Sequence, residues 1–314
     1  MSGTQGKILV IRGGAIGDFV LTLPVLSALR RMFPHTRIEV LGYPHIVQIA
    51  EVGGLVDAAH PIDARPLAGF FARNGDLDPA QSAFFEDFNI IISYLYDPDG
   101  FFQCNVARCS LAQFHAGPHR PAEADGLHAA ETFLKPLERL AIFDAETTPR
   151  IEVQPWMESG ADKLTGNDST WLAVHPGSGS ESKNWPEDNW RELLRRIVEA
   201  TSASLMIVGG ESEGARLDAL AAELPRDRQC LLRNRPLAET ARWLKHCRGF
   251  IGHDSGITHL AAAVGIPGVV LWGPSNADVW SPRSDCMNLL HGGPGLVGIS
   301  VEQAFNAVQD LLTD

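Results

Sequence analysis

A polar turn, His-Asp-Ser-Gly at positions 253–256, separates an apolar strand pattern from a short helix pattern. The first N–H groups of a helix lack intrahelical partners, so those at Ser255, Gly256 and Ile257 indicate an anion site. Asp254 would repel a phosphate placed directly on it and is better suited to capping the helix or binding neutral hydroxyls. A sugar diphosphate carries both groups. The alternative is that Asp254 and Ser255 only cap a core helix.

Two further polar loops also lie between a strand and a helix, at 177–183 and 209–213. Loops that follow the strands of a parallel sheet emerge at one edge, so all three loops are expected to converge. Lys183 adds a point charge suited to phosphate. The combination predicts a nucleotide-like site, whereas a lone loop lysine is ordinarily just a solvated charge.

The N-terminal segment offers a second candidate site. An apolar strand at Lys7–Ile11 is followed directly by Arg-Gly-Gly-Ala-Ile-Gly-Asp at positions 12–18. This loop is not a dinucleotide fingerprint, which would need glycine at Arg12, and it lacks the Gly-Lys-Ser/Thr of a Walker loop. Its glycines, including Gly14, still bring bare backbone and the Asp18 carboxylate to the usual ligand crevice. The alternative role of Asp18 is to cap the first helix.

Strand and helix patterns alternate through both halves of the chain, as in doubly wound α/β domains. A polar segment at 165–169 predicts the boundary between them. We expect an N-terminal domain over 1–165, a C-terminal domain over 166–300 and a final amphipathic helix over 301–314. The predicted strands span 7–11, 37–41, 56–62, 89–96, 113–116, 171–175, 204–208, 249–251 and 268–272. The predicted helices span 46–52, 101–109, 127–140, 187–200, 237–246, 255–264 and 301–312, with others starting near Thr22 and ending near Leu224.

The composition limits the classes of protein to which this chain can belong. A length of 314 residues with 45% hydrophobic and 20% charged residues predicts a globular protein of two domains. The net charge of −12 argues against a nucleic-acid partner. Five scattered cysteines without a C-x-x-C pair suggest neither disulfides nor a metal site, and they fit a reducing cytoplasm. No apolar run is long enough to cross a bilayer, so we expect a cytoplasmic protein, with peripheral contact at the inner membrane left open.

The motifs together resemble glycosyltransferase family 9, the ADP-heptose:lipopolysaccharide heptosyltransferases. The resemblance rests on His175-Pro-Gly-Ser with Lys183-Asn-Trp-Pro186, on Gly252-His-Asp-Ser-Gly, and on Gly14-Ala-Ile-Gly-Asp18 after the first strand. It implies a GT-B architecture, in which two Rossmann-like domains face a central cleft and the final helix returns to the N-terminal domain. It also implies inverting transfer of a sugar, most simply heptose from ADP-heptose, to a lipopolysaccharide-core or related glycan acceptor, without a metal or other cofactor.

The same resemblance assigns roles to individual residues. Asp18 looks like the family's catalytic base, and Lys183 is placed with it in the catalytic set. The expected donor phosphate contacts are Gly14, Ser178, Lys183, Ser255, Gly256 and Ile257. The expected contacts to the donor sugar or ribose are Asp254, Glu211, Glu213 and His259.

Two departures from the family pattern limit the transfer of roles. Ile257 and Thr258 stand where the family often has proline and methionine, which bears on the sugar pocket. The region 65–120, on the acceptor side, matches no motif. Two other functions therefore stay open on the same scaffold: a nucleotide-sugar epimerase or hydrolase, and a non-catalytic nucleotide-sugar-binding protein.

Overall fold

The computed structural model describes residues 6–154, 170–210 and 213–313. The chain divides into two compact units, Met1–Thr147 and Thr148–Asp314. Each unit is built on one fully parallel sheet with helices between successive strands. The predicted fold class, two Rossmann-like α/β domains, is therefore confirmed.

Unit 1, Met1–Thr147, contains a five-stranded sheet in the order β3-β2-β1-β4-β5. The central strand β1 reads KILVIR and is almost wholly buried, because a parallel sheet is covered on both faces. The strands are β1 (Lys7–Arg12), β2 (Arg37–Gly42), β3 (Ala58–Pro61), β4 (Ile90–Ser93) and β5 (Gln113–Ala116).

The helices of unit 1 follow the predicted positions in most places. The first helical pattern is two helices, because Thr22 interrupts it and Pro24 lies in the first turn of the second. The predicted helix over 127–140 is an α-helix only to Leu134, where Pro136 forces a 3₁₀ continuation. The helices are α1 (Ile16–Val20), α2 (Leu23–Met32), α3 (Pro44–Val52), α4 (Pro79–Glu86), α5 (Phe101–Val106) and α6 (Ala129–Leu134).

Unit 2, Thr148–Asp314, contains a six-stranded sheet in the order β11-β10-β9-β6-β7-β8. Its strands are β6 (Trp171–His175), β7 (Ser204–Gly209), β8 (Gln229–Arg233), β9 (Gly249–His253), β10 (Gly268–Trp272) and β11 (Met287–His291). Its helices include α7 (Glu187–Ala200), α8 (Ala215–Ala222), α9 (Leu237–His246), α10 (Gly256–Ala263), α11 (Ala277–Trp280) and α12 (Val301–Thr313). The edge strands β8 and β11 were not predicted.

The division between the units differs from the predicted boundary near residue 165, which lies outside the described residues. The structure divides the chain after Thr147. Ile151 and Val153 are buried, and the Ile151 N–H donates to the Ala263 carbonyl at 2.9 Å, so this stretch already belongs to unit 2.

The final helix, α12, packs its apolar face on α7 and on β9 and β10 of unit 2. Its return to the N-terminal domain stays a prediction. Ala304 and Val308 are buried there. The approach to β9 is close, since a Cβ on Gly249 would lie 2.6 Å from Leu311 Cδ2. The helix therefore completes the core of unit 2.

The two sheets follow one winding scheme. In unit 1 the chain runs outward from β1 to β2 and β3, then starts again on the other side with β4 and β5. In unit 2 it runs from β6 to β7 and β8, then starts again with β9. The reversals fall between β1 and β4 and between β6 and β9, where doubly wound sheets open a crevice at the carboxyl ends of their strands.

Candidate functional site

Lys183 and Asp254 form an ion pair at the reversal point of the second sheet. Lys183 lies in the loop after β6 and Asp254 directly follows β9. Lys183 Nζ is 2.6 Å from Asp254 Oδ2, and the two side chains are 30% and 8% exposed. The residue expected to bind phosphate is therefore paired with the residue expected to bind sugar hydroxyls.

The start of α10 adds backbone donors next to this pair. Ser255 is the N-cap residue, and its hydroxyl accepts from the Thr258 N–H at 3.3 Å. The Thr258 hydroxyl donates to the His253 carbonyl, which ties the helix to the end of β9. Gly256 and Ile257 occupy the first turn, where the helix itself offers their N–H groups no carbonyl. Ser255 thus caps the helix, while Asp254 contacts Lys183.

His253 holds the loop after β6 in place. The ring is fully buried, and its Nε2 accepts from the Trp185 backbone N–H at 3.0 Å and from Trp190 Nε1 at 3.2 Å. Both partners can only donate, so the imidazole is neutral with its proton on Nδ1. Burial, followed by the nearby His175, lowers the His253 pKa to about 3. This neutral ring links β9 to the segment just after Lys183, a role the sequence did not reveal.

Glu213 lies beneath the loop after β6. Its side chain is buried, and Oε2 accepts from the Gly210 N–H at 2.6 Å. A Cβ at Gly177 would overlap Glu213 Cγ and lie 2.5 Å from Oε1, so any larger residue there would displace the Glu213 side chain. The carboxylate joins the loops after β6 and β7. Its predicted contact with ribose stays a prediction, and Glu211 lies outside the described residues.

Three other predicted or neighbouring residues have local partners. The Ser178 hydroxyl donates to the Ser180 carbonyl at 2.9 Å and accepts from the Ser180 N–H at 3.3 Å. His259 is buried within α10, where its backbone N–H donates to the Ser255 carbonyl at 3.3 Å. His175 is buried with Nδ1 2.8 Å from the Val208 carbonyl, and burial lowers its pKa. Donor contacts by Ser178 and His259 stay predictions.

Asp18 lies at the corresponding reversal point of unit 1, in α1 after the glycine loop. Its Oδ2 accepts from the Ala15 N–H at 3.1 Å, so it closes the helix start from the third helical position. Gly14 has φ +99°, and a Cβ there would lie 2.8 Å from Asp18 Oδ2. Gly14 thus packs against the candidate base. The Asp18 side chain remains 28% exposed, open to a reactant.

Arg12 is a site residue that the sequence reading missed. Its side chain is buried, with Nη2 3.7 Å from Asp18 Oδ1 and Nη1 donating to the His119 carbonyl at 2.9 Å. The guanidinium carbon lies 4.3 Å from the Phe133 ring centroid and 5.7 Å from that of Tyr94. Burial lowers the Arg12 pKa, and the Asp18 charge opposes that shift. A buried cation therefore stands beside the candidate base.

Neither a metal cluster nor a membrane span is seen in the described parts of the chain. Over 6–154, 170–210 and 213–313, no three His, Cys, Asp or Glu side chains come together as a metal site would require. Over the same residues, no helix has the length and apolar character needed to span a bilayer.

Residues 119–292 match the sequence family described as "Glycosyltransferase family 9 (heptosyltransferase)". Lipopolysaccharide heptosyltransferase 2 of Escherichia coli (strain K12) is 29% identical over 319 residues, spanning 88% of this chain and 86% of the relative. Lipopolysaccharide heptosyltransferase 3 of the same organism is 24% identical over 294 residues, spanning 86% and 83%.

Among solved structures, E. coli heptosyltransferase WaaC with ADP aligns with a TM-score of 0.74 at 18% identity, covering 97% of this chain and 99% of that one. At 18% identity the alignment supports a shared fold and nothing beyond it. Its extent shows that both α/β units are present in the order found in that protein.

Proposed function

The chain belongs to glycosyltransferase family 9, as its motifs predicted, and we propose that it moves heptose from ADP-heptose to a lipopolysaccharide-core or related glycan. One observation carries the donor half of this proposal. The Lys183 ammonium and the N-terminus of α10 lie together at the reversal point of a doubly wound sheet. Cations and unpaired N–H groups at that position suit a diphosphate.

On the donor side, Lys183 and the N–H groups of Gly256 and Ile257 bind the diphosphate and stabilise the charge that grows on it as it leaves. Fixed donors that face developing charge lower the barrier because they need no reorganisation during the reaction. Asp254 binds hydroxyls of the transferred sugar, and Ser178 and Glu213 contribute to holding the nucleotide. The relatives' names, and the ADP bound in one solved structure, support this donor class.

On the acceptor side, Asp18 removes the proton of the attacking hydroxyl. The oxygen of that hydroxyl forms a bond to the anomeric carbon while the bond from that carbon to the diphosphate oxygen breaks, which inverts the configuration. The proton goes to the Asp18 carboxylate and the electron pair of the broken bond goes to the diphosphate. The Arg12 guanidinium lies beside this carboxylate, with Nη2 3.7 Å from Oδ1.

The donor assignment is tested by thermal shift with ADP, GDP, UDP and their sugars. A ligand that binds only the folded state at one hundred times its Kd adds about 2.7 kcal/mol to the free energy of unfolding. We expect ADP and ADP-heptose to raise Tm most. Equal shifts with all three nucleotides would count against an ADP-specific site.

The role of Lys183 is tested with Lys183→Ala, which should raise the Kd for ADP by about tenfold or more, as expected for losing a charge-assisted phosphate contact. Lys245→Ala is the matched control, because Lys245 Nζ donates to the Val264 carbonyl at the far end of α10. The control should lower Tm without changing the Kd. Unchanged ADP affinity in Lys183→Ala would overturn the assignment.

A further inference from the structure

Tyr96 is an exposed aromatic residue that the proposed chemistry leaves unused. Its side chain is 71% exposed, although it lies only two residues after the buried Tyr94, which directly follows β4. Its position relative to the strand order also matters. In unit 2 the residues that follow β9, across the reversal from β6, are Asp254 and Ser255. In unit 1 Tyr96 follows β4, across the reversal from β1, and so borders the equivalent crevice.

The backbone on both sides of Tyr96 is anchored. On one side, the Tyr94 N–H donates to the Ile11 carbonyl at 2.9 Å, and the Tyr94 hydroxyl donates to the Phe133 carbonyl at 2.6 Å. On the other, the Asp97 carboxylate accepts from the N–H groups of Phe102 and Gln103 at 3.2 and 3.1 Å. An aromatic ring has only two side-chain torsions, so on a fixed backbone it loses little entropy when it binds a ligand.

The Tyr96 ring packs against His119, from the loop after β5. The two ring centroids are 4.6 Å apart with an interplanar angle of 57°. The same His119 carbonyl accepts from Arg12 Nη1 at 2.9 Å, and Arg12 Nη2 is 3.7 Å from Asp18 Oδ1. A single buried guanidinium therefore links the Tyr96–His119 ring pair to the candidate base. The ring and the carboxylate belong to one braced cluster within unit 1.

We propose that Tyr96, backed by His119, is a platform for a sugar ring of the acceptor, packing against it while an acceptor hydroxyl meets Asp18. This inference rests on the proposed function. A pyranose has a face made of C–H bonds, which an exposed aromatic ring covers, and its hydroxyls point outward to polar groups. Carboxylates next to the ring favour a sugar over an anionic lipid surface, because Asp97 follows Tyr96 directly and Asp99 lies two residues further along the chain.

The test compares Tyr96→Ala, Tyr96→Phe and the control Phe143→Ala in the full chain. Phe143 is a similarly exposed aromatic of unit 1, at 75%, but it follows α6 and its 3₁₀ continuation rather than β4. The acceptor probe is a delipidated lipopolysaccharide core oligosaccharide. Its binding is followed by saturation-transfer-difference NMR, and acceptor-dependent ADP release from ADP-heptose gives kcat and KM.

Tyr96→Ala should raise the acceptor KM about tenfold, the loss expected for one aromatic contact, and weaken saturation transfer to the sugar C–H protons. Its kcat at saturating acceptor and its Kd for ADP should stay within twofold of the parent protein, as for a residue that contributes only ground-state binding. Tyr96→Phe keeps the ring and should match the parent protein, as should Phe143→Ala.

An unchanged acceptor KM in Tyr96→Ala would overturn the platform and leave the proposed function standing, as would absence of saturation transfer in the parent protein. Loss of binding to anionic phospholipid vesicles, with oligosaccharide binding intact, would also overturn it in favour of a lipid contact. Conversely, saturation transfer that depends on Tyr96, without any ADP release, would contradict the proposed transferase activity. It would still support Tyr96 as a sugar-binding residue.

Discussion

Lys183 illustrates how one charge can be shared between the protein and a substrate. Its ammonium is 2.6 Å from a largely buried Asp254 carboxylate. A phosphate that binds Lys183 would therefore compete with this carboxylate for the ammonium. Like charges placed close together repel, more strongly where water is partly excluded. Asp254 should therefore weaken the binding of bare diphosphate while it favours a donor whose hydroxyls occupy its oxygens.

Asp254→Asn separates these two effects. We expect ADP to bind about fivefold more tightly, because the competing charge near Lys183 is gone. Turnover of ADP-heptose should fall, because an amide is a weaker acceptor for sugar hydroxyls than a carboxylate. Calorimetry with ADP measures the first effect, and adenosine, which lacks phosphate, is the control ligand and should bind unchanged. Weaker ADP binding in the variant would show that Asp254 supports the phosphate site.

The buried His253 ring should make the free energy of unfolding depend on pH. It stays neutral when folded, with a pKa lowered to about 3, whereas its unfolded value is 6.5. Below about pH 6.5 His253 binds a proton in the unfolded chain but not in the folded chain. The free energy of unfolding therefore falls as pH falls, by about 1.4 kcal/mol per pH unit. His175, also buried with a lowered pKa, adds to the same trend.

Urea unfolding between pH 7.5 and 5.0 measures this slope. All seven tryptophans lie in unit 2, so tryptophan fluorescence reports on the unit that contains His253. His253→Gln retains an acceptor for the two tryptophan N–H groups but does not titrate. Its free energy of unfolding should depend less steeply on pH than that of the parent protein. Parallel profiles for the two proteins would contradict the assignment of the buried neutral ring.

The positions of single site residues were predictable only where a motif carried them. Asp18, Lys183 and Ser255 stand in recognisable loops, and the structure puts each at the edge where its sheet reverses. Arg12 and His253 were missed because their roles depend on partners distant in sequence. The Arg12 guanidinium is buried among His119, Tyr94 and Phe133, and no local pattern brings those residues together.

At the scale of elements, the central strands were the easiest to predict. The strands β1, β6 and β10 are continuous apolar runs whose residues are nearly all buried, so composition alone marks them. The edge strands β8 and β11 are only partly buried and are exposed on one side, which leaves a weak pattern. Helix α12 was found by its periodicity, but the surface that covers its apolar face depends on tertiary packing.

The loop after β6 depends on a single glycine, and its neighbour provides a matched control. A Cβ at Gly177 would overlap Glu213, whereas a Cβ at Gly179 has no atom within 4 Å. Gly177→Ala should lower the free energy of unfolding of unit 2 by about 1–3 kcal/mol and weaken ADP binding, because Glu213 must leave Gly210. Gly179→Ala should stay within about 0.5 kcal/mol of the parent protein. Equal effects in urea unfolding and ADP titration would show that Glu213 does not hold this loop.

The whole molecule repeats one plan in two units. Strands β1, β2, β3, β4 and β5 have the same relative order as β6, β7, β8, β9 and β10, with β11 added at one edge. Each unit places functional candidates in the loop after its first strand and in the loop across the reversal. Under the proposed function the unit 2 loops bind the donor and the unit 1 loops serve the acceptor.

The most direct test of the account is Asp18→Asn, assayed for acceptor-dependent ADP release from ADP-heptose alongside calorimetric binding of ADP. Asn can still accept from the Ala15 N–H through its amide oxygen, so the variant removes the base and keeps the contact at the start of α1. We predict a loss in kcat of about a hundredfold or more, with the Kd for ADP unchanged. A kcat within a few-fold of the parent protein would contradict the assignment of Asp18 as the base.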